Sequence, residues 1–310
     1  MTIRREYHHE RRQGRPARRL RRRIALICGP ACLACAIAAT TGGQAASAIP
    51  ARPDPATVAR GQGAVNLTKL YWLFYKEDIE RINKFDPGVV QVMASGGHTY
   101  ALTRTKYGPR FPPGVIPVEN FFSAASLAAA IRSRDVIPQV KVVAEDPEDW
   151  RSTPIDERLT PIKYMKDFAS TAEGHGLLPI LVPARDLLRV KKAACTATPA
   201  QTISQAYVAC GLPAAAAKAR IFVIQAAAVE TNLPALRQLV QQGASEARKA
   251  NPNVNVLATL SAAPNGTAVS LQALISAATT VLPYVNGFEL NSEPHNDHEL
   301  VSFLEALRRG

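Results

Sequence analysis

Residues 221–260 read IFVIQAAAVETNLPALRQLVQQGASEARKANPNVNVLATL, and this stretch decides the fold. It begins and ends with apolar, β-branched runs, Ile221–Gln225 and Val254–Leu260, whose composition is typical of buried strands. Between them, Leu233–Ala250 repeats aliphatic residues at helical spacing, and Pro252 ends the helix because proline cannot continue it. A strand, a helix and a second strand of this kind predict two parallel strands joined by a covering helix.

The same alternation extends over most of the chain. Further strands are predicted at Tyr71–Phe74, Val89–Ala94, Val140–Glu145, Leu177–Val182 and Asn286–Leu290. Further helices are predicted at Lys76–Asn83, Phe121–Arg132, Glu157–Glu173, Thr202–Ala209, Leu271–Leu282 and His298–Arg309. Seven or eight such units predict an α/β TIM-like barrel of parallel strands, regular or incomplete, with a doubly wound open sheet as the alternative. Because no glycine-rich phosphate loop follows an early strand, we expect no nucleotide and no other cofactor.

The first 48 residues have the three regions of a secretory signal peptide. Residues 1–23 hold ten arginines and two glutamates, residues 24–40 carry no charge, and Ala46-Ser47-Ala48 offers small residues for cleavage. A retained membrane anchor is the alternative, but the apolar run is shorter than the roughly 20 residues that a spanning helix needs. We therefore expect export by a Sec or Tat signal, an extracellular protein without a stable membrane span after cleavage, a flexible leader over 49–66 and a single barrel domain over 67–310.

Removal of the signal changes the meaning of the net charge. The whole chain has 37 basic and 25 acidic residues; subtracting the 10 and 2 in the signal leaves 27 and 23, or +4 instead of +12. A charge of +4 is ordinary for a soluble domain, and no cluster of basic and aromatic residues follows position 48. A nucleic-acid partner is therefore not expected.

Cysteine usage agrees with an oxidising compartment. Three of the five cysteines lie in the predicted signal, and Cys195 and Cys210 remain. An even number in an exported protein favours a disulfide. Two buried thiols or a metal pair are the alternatives, but no second Cys/His pair stands near them, so no metal site is predicted.

The main candidate site follows the strand predicted at Val140–Glu145, where the next residues read Asp-Pro-Glu-Asp-Trp. Strand side chains alternate, so Asp146 continues the face of the small residues Val142 and Ala144 at the carboxyl end of the strand, where barrels place their active sites. Asp146 and Glu148 are predicted to act as acid/base or nucleophile, and Trp150 as a sugar-stacking platform. A solvated acidic loop that caps the next helix is the alternative.

A second carboxylate is predicted near the end of the last strand. Glu289 stands inside the apolar run Asn286–Leu290 and shares a strand face with Asn291. Burial of a carboxylate without a charged or hydrogen-bonding partner is costly, so this glutamate needs such a partner or a solvent-filled cleft. We expect Glu289 to be the opposing carboxylate and Asn291 an orienting group, with a simple ion pair to an arginine as the alternative.

Other predicted strand ends carry candidate ligands. Arg185 and Gln225 are predicted to bind substrate, and Ser261 to make a smaller contribution. His98 could contribute as a ligand on a flexible loop, but the sequence favours a lone surface histidine at this position. The chain has no Gly-x-Ser-x-Gly elbow and no His-Glu-x-x-His helix. A serine hydrolase and a zinc protease are therefore disfavoured.

Several of these motifs resemble a group of secreted actinobacterial proteins of unassigned function. The motifs are Asp146–Trp150 followed by Thr153-Pro154 and Pro161, Pro183-Ala184, Asn251–Val254, Leu260-Ser261, Pro264–Gly266 and Asn286–Phe288. The resemblance covers most of the chain from about residue 135. It implies a barrel related in outline to glycoside hydrolases, without an assigned activity.

These features together predict a secreted barrel that hydrolyses an extracellular polysaccharide or cell-wall glycan with paired carboxylates. The alternative is a non-catalytic secreted or cell-envelope binding protein that retains the barrel. An aromatic content of 6% favours the alternative, because it leaves few sugar-stacking platforms.

Overall fold

The computed structural model describes residues 64–104, 111–198, 200–292 and 296–309. The predicted signal peptide and most of the predicted leader lie outside these ranges. Within them, eight parallel strands close into one barrel in chain order, β1 to β8. The strands are Tyr71–Tyr75 (β1), Thr99–Thr103 (β2), Ile116–Phe121 (β3), Val142–Glu145 (β4), Leu178–Leu181 (β5), Ile221–Ile224 (β6), Asn255–Ser261 (β7) and Gly287–Asn291 (β8). The TIM-barrel prediction is confirmed.

Helices cover the outside of the barrel. The α-helices of the described residues are Lys76–Phe85 (α1), Pro87–Ser95 (α2), Ala124–Ser133 (α3), Ile155–Leu159 (α4), Pro161–Gly174 (α5), Ile203–Ala209 (α6), Leu233–Ala250 (α7), Leu271–Val281 (α8) and Asp297–Arg309 (α9). The single helix predicted at Glu157–Glu173 is divided into α4 and α5 at Thr160, where Pro161 starts the second helix. None of these helices combines the length and the apolar character needed to cross a bilayer.

The strand predicted at Val89–Ala94 is wrong, because these residues form most of α2. The Asp86 side chain caps the helix by accepting hydrogen bonds from the backbone N–H groups of Gly88 and Val89. Pro87 occupies the first turn, where its missing N–H costs nothing. The apolar run is buried on one helical face against the barrel, so its β-branched composition was misleading.

Strands β2 and β3 were missed. β2 reads TYALT and follows Gly97, which turns the chain with a φ of +72°. β3 reads IPVENF, and its Glu119 and Asn120 break the apolar run that a buried strand usually has. Phe121, predicted to begin a helix, is the last residue of β3, and the helix starts only after Ser123, whose hydroxyl oxygen accepts a hydrogen bond from the Ser126 N–H.

Two apolar cores result from strand alternation. The inner core fills the barrel with residues such as Leu73, Leu102, Val118, Val142 and Ile180. The outer core lies between the strands and the helices and contains the larger aromatic residues, among them Trp72, Phe168 and Phe222. The barrel is thus a packed core rather than a pore, and polar side chains on the inward face are concentrated toward its carboxyl end.

A disulfide joins Cys195 to Cys210, as predicted, with a Cα–Cα distance of 5.6 Å. It fastens the loop after β5 to the residue that ends α6.

We expect the double substitution Cys195→Ser and Cys210→Ser to lower the free energy of unfolding by roughly 3 kcal/mol, the chain-entropy value for a loop of this size. The two cysteines are 15 residues apart. Urea denaturation of the variant and of wild type, each with and without reductant, measures the effect. Equal stability of oxidised wild type and variant would contradict the prediction.

Candidate active site

Asp146 lies directly after β4 and turns into the barrel. It continues the inward face of Val142 and Ala144, which pack in the inner core. Its side chain is 1% exposed, and the Tyr75 hydroxyl donates a hydrogen bond to Oδ2 at 3.3 Å. The other oxygen, Oδ1, is buried and accepts no hydrogen bond of good geometry from the described residues. The carboxyl end of the barrel therefore holds a buried acceptor, Oδ1 of Asp146, that no donor of the described residues satisfies.

The pKa of the Asp146 carboxyl is raised toward neutrality. Burial raises the pKa of Asp146 to about 6, against the opposing effects of the Arg104 charge and the Tyr75 hydroxyl. The amide of Asn120, at the matching inward position of β3, adds a weaker stabilisation of the ionised form. Near neutral pH this carboxyl is mostly ionised.

Glu289 projects into the barrel from β8, where it lies between Leu73 of β1 and Thr259 of β7. The Thr259 hydroxyl donates a hydrogen bond to its Oε2. The side chain is 2% exposed, and burial raises the pKa of Glu289 to about 8, with a further contribution from the negative charge of Asp146. Glu289 is therefore mostly protonated at neutral pH.

Asp146 and Glu289 therefore differ in protonation state at neutral pH. They are close enough for the charge on one to affect the other, and their pKa values lie on opposite sides of neutrality. One ionised and one protonated carboxyl in the same site are what general acid catalysis with a base or nucleophile requires. Asn291, one inward level above Glu289, also presents a buried Oδ1 without a donor among the described residues.

Glu148 and Trp150 lie in the loop after β4 and are half-buried. The Glu148 N–H donates to the Thr153 hydroxyl oxygen at 3.3 Å, which shapes the loop. The Trp150 ring packs against Phe122 at 5.9 Å between ring centroids, and the Arg104 guanidinium lies 3.6 Å from the centre of the Phe122 ring. Trp150, the predicted sugar-stacking platform, therefore forms an aromatic wall together with Phe122, and the Arg104 cation borders this wall.

The acidic run after β4 divides between two faces. Glu145 points away from Asp146 into the helical layer, where burial raises its pKa well above its usual range and the neighbouring charge of Glu157 adds to the effect. Asp149 forms a salt bridge with Arg158 at 2.7 Å. Neither of these two acids faces the barrel interior, whereas Asp146 continues the inward face of the strand.

The remaining predicted residues have different positions. Gln225 follows β6 and Asn291 ends β8, both at the carboxyl end of the barrel and half-buried. Arg185 begins a 3-10 turn after β5 and lies on the rim. His98 precedes β2 and stacks on Tyr71 at 4.3 Å, which places it at the opposite, amino end of the barrel; the alternative of a loop ligand at this site is wrong.

Four residues near Asp146 were not predicted: Tyr75, Arg104, Asn120 and Phe122. Tyr75 shares the inward face of Leu73 and extends β1 by one residue beyond the predicted end. The other three belong to or follow β2 and β3, the strands that sequence patterns failed to identify, so no inward face could be assigned to them. Over the described ranges, no group of three or more His, Cys, Asp or Glu side chains is arranged to hold a metal ion.

Comparison with known proteins shows the fold and leaves the family open. No protein-family model and no curated protein matches the sequence. Among solved structures, a protein provisionally assigned as an alpha-L-fucosidase from Bacteroides thetaiotaomicron matches with a TM-score of 0.50 at 8% identity, over 81% of this chain and 98% of that one. A GH128 curdlan-specific exo-beta-1,3-glucanase from Blastomyces gilchristii matches with a TM-score of 0.46 at 10% identity, over 79% and 99%. At such identities the first match supports a shared barrel fold alone.

Proposed function

We propose that this chain is an exported barrel hydrolase that cleaves an extracellular glycan with Asp146 and Glu289. The observation that carries the proposal is the carboxyl pair itself, one group mostly ionised and one mostly protonated at neutral pH. Both project into the carboxyl end of the barrel, where enzymes of this fold keep their active sites. Glycosidic hydrolysis needs such a pair on either side of the scissile bond.

The two carboxyls take different roles in this mechanism. Glu289 holds the proton that the leaving glycosidic oxygen requires, and Asp146 acts as nucleophile or as the base that activates water. The Tyr75 hydroxyl, which donates to Asp146, orients that carboxylate. The Phe122–Trp150 pair offers an apolar ring face for a sugar, and Glu148 stands in the adjoining loop as a further carboxylate.

One structural neighbour fits this chemistry by its name, the provisional alpha-L-fucosidase that shares the barrel fold with a TM-score of 0.50. Export rests on the basic, apolar and small-residue regions of the first 48 residues, and it would deliver the protein to a compartment rich in polysaccharide.

A glycan-binding protein without catalysis is the second candidate. It is favoured by the burial of both carboxyls, whose side chains are only 1% and 2% exposed. A substrate bond must reach these groups before they act on it, whereas a binding protein needs only the rim and the aromatic wall.

Incubation of the purified protein with curdlan, cellulose, xylan, pectin and peptidoglycan, with assays for new reducing ends and for bound protein, separates the two candidates. We expect release of reducing ends from at least one polymer by wild type, and retained binding without release by the Asp146→Asn and Glu289→Gln variants. Binding without release by all three proteins would support the binding protein instead.

A further inference from the structure

Arg185 is a half-buried cation that forms no salt bridge among the described residues. It follows β5 at the rim of the barrel, and its guanidinium forms no salt bridge or side-chain hydrogen bond with the residues that the structure describes. Burial lowers the pKa of Arg185, because it disfavours the charged form. An arginine has five N–H donors, and those of Arg185 are available to an acceptor from outside the protein.

A second unused donor lies on α6, which packs against the 3-10 turn of Arg185. Tyr207 of α6 is completely buried, and its hydroxyl has no hydrogen-bond partner among the described residues. The hydroxyl and the Arg185 guanidinium are close enough to interact electrostatically. Buried hydroxyls nearly always find a partner, so this one marks a place where an acceptor is missing.

The surrounding charges leave this place electropositive. Arg189 adds a second positive charge nearby. Asp186 is the nearest acidic neighbour in sequence, but its Oδ1 accepts a hydrogen bond from the Asp149 N–H at 3.2 Å, which directs the carboxylate to the loop after β4. Among the described residues, no carboxylate forms a salt bridge or a hydrogen bond with either donor.

The rim position is continuous with the candidate active site. The Ala184 N–H donates to the Pro147 carbonyl oxygen at 3.1 Å, next to the Asp149–Asp186 hydrogen bond. These two bonds join the loop that begins at Asp146 to the loop that carries Arg185. The disulfide at Cys210 fastens the end of α6, the helix that carries Tyr207.

We infer that Arg185 and Tyr207 form a subsite for an oxyanion of the glycan, a carboxylate or a sulfate, so that the substrate class is an acidic polysaccharide. This inference rests on the proposed function, because it places the subsite beside the same cleft. A planar guanidinium presents paired N–H groups that match an oxyanion, and the tyrosine hydroxyl supplies one more donor.

Two matched polymer pairs test the inference by affinity gel electrophoresis: polygalacturonate against its full methyl ester, and dextran sulfate against dextran. The first pair probes a carboxylate and the second a sulfate. We expect wild type to bind at least one charged polymer about tenfold or more tightly than its neutral counterpart. Arg185→Gln should abolish this preference, and Tyr207→Phe should weaken it.

Arg132→Gln is the matched control, because it removes the same charge from an exposed arginine near the end of α3, the helix that leads to the amino end of β4. It should keep most of the preference. Thermal unfolding supplies a second readout: Arg185→Gln should be at least as stable as wild type, since it removes a cation that has no partner. A lower midpoint of unfolding would indicate a structural role for Arg185 and overturn the inference.

The outcomes separate this inference from the proposed function. A charge preference that is equal in wild type and Arg185→Gln, equal binding of charged and neutral polymers, or no binding of any polymer would each overturn the subsite. Cleavage of a neutral glycan that depends on Asp146 would then leave the hydrolase proposal standing. An Arg185-dependent preference without cleavage of any polymer would keep the subsite and overturn the hydrolase.

Discussion

Glu289→Gln is expected to lower kcat/KM on the cleaved glycan by roughly 10²- to 10⁴-fold, the usual contribution of a general acid. Glutamine keeps the size of the side chain and the oxygen that accepts from Thr259, but it has no proton to give to a leaving oxygen. Asp146→Asn should cost at least as much, because an amide is neither a base nor a nucleophile. Initial rates of reducing-end release measure both losses.

Glu145→Gln is the matched control for these substitutions. Glu145 precedes Asp146 and is equally buried, but it faces the helices rather than the barrel interior. Its replacement should leave kcat/KM within about twofold of wild type. An equal loss in Glu145→Gln and Asp146→Asn would indicate that any change at this strand end disturbs the fold, and the catalytic assignment would fail.

The dependence of kcat/KM on pH should be bell-shaped. Activity rises as Asp146 ionises around its pKa of about 6 and falls as Glu289 loses its proton around its pKa of about 8. The residual activity of Asp146→Asn should lack the acidic limb, and that of Glu289→Gln the alkaline limb. Limbs that persist in the variants would assign the titrations to other groups.

Sequence patterns predicted the second half of the barrel better than the first, for a physical reason. β4 to β7 are largely buried runs rich in aliphatic residues, and helical segments separate them. β2 and β3 carry Thr, Glu and Asn at buried positions, and the carboxylate of Glu119, for example, accepts a hydrogen bond from the backbone N–H of Ile137 at 2.8 Å. Such partners are far apart in sequence and leave no local pattern.

The candidate site, like the fold, could be predicted from the sequence only in part. Asp146 and Glu289 could be predicted because strand alternation alone assigns their face. Their opposite protonation states could not, since these depend on burial and on charges brought together from different strands. Arg185 was predicted as a ligand from its strand-end position, but only the three-dimensional structure brings the Tyr207 hydroxyl beside it.

The folded protein should be several kcal/mol more stable at pH 5 than at pH 8. Burial raises the pKa of Glu289 and of Glu230 to about 8, and both side chains are 2% exposed. A carboxyl whose pKa is higher in the folded than in the unfolded state stabilises the fold fully at pH values below its unfolded-state pKa, roughly 4.3. This stabilisation is lost as the pH rises through the folded-state pKa. At about 1.4 kcal/mol per pKa unit, each group loses on the order of 3 kcal/mol between pH 5 and 8.

Urea denaturation of wild type at several pH values between 5 and 8 measures this loss. Glu230 resembles Glu289 in being buried with one oxygen engaged: its Oε2 accepts from the Ser261 N–H at 2.8 Å, and its Oε1 has no partner among the described residues. Glu230→Gln should therefore also reduce the slope of stability against pH. Glu77→Gln, at an exposed position on α1, should leave the slope unchanged.

Glu289→Gln isolates the contribution of Glu289 to this pH dependence. The amide cannot ionise, so this variant should be more stable than wild type at pH 8 by on the order of 2 to 3 kcal/mol, and close to wild type at pH 5, where both side chains are neutral. The same substitution that removes the activity is thus expected to stabilise the fold, because a buried acid kept for catalysis is a cost to folding when it ionises. A variant no more stable than wild type at pH 8 would contradict the raised pKa of Glu289, and with it the protonated acid that the proposed mechanism needs at neutral pH.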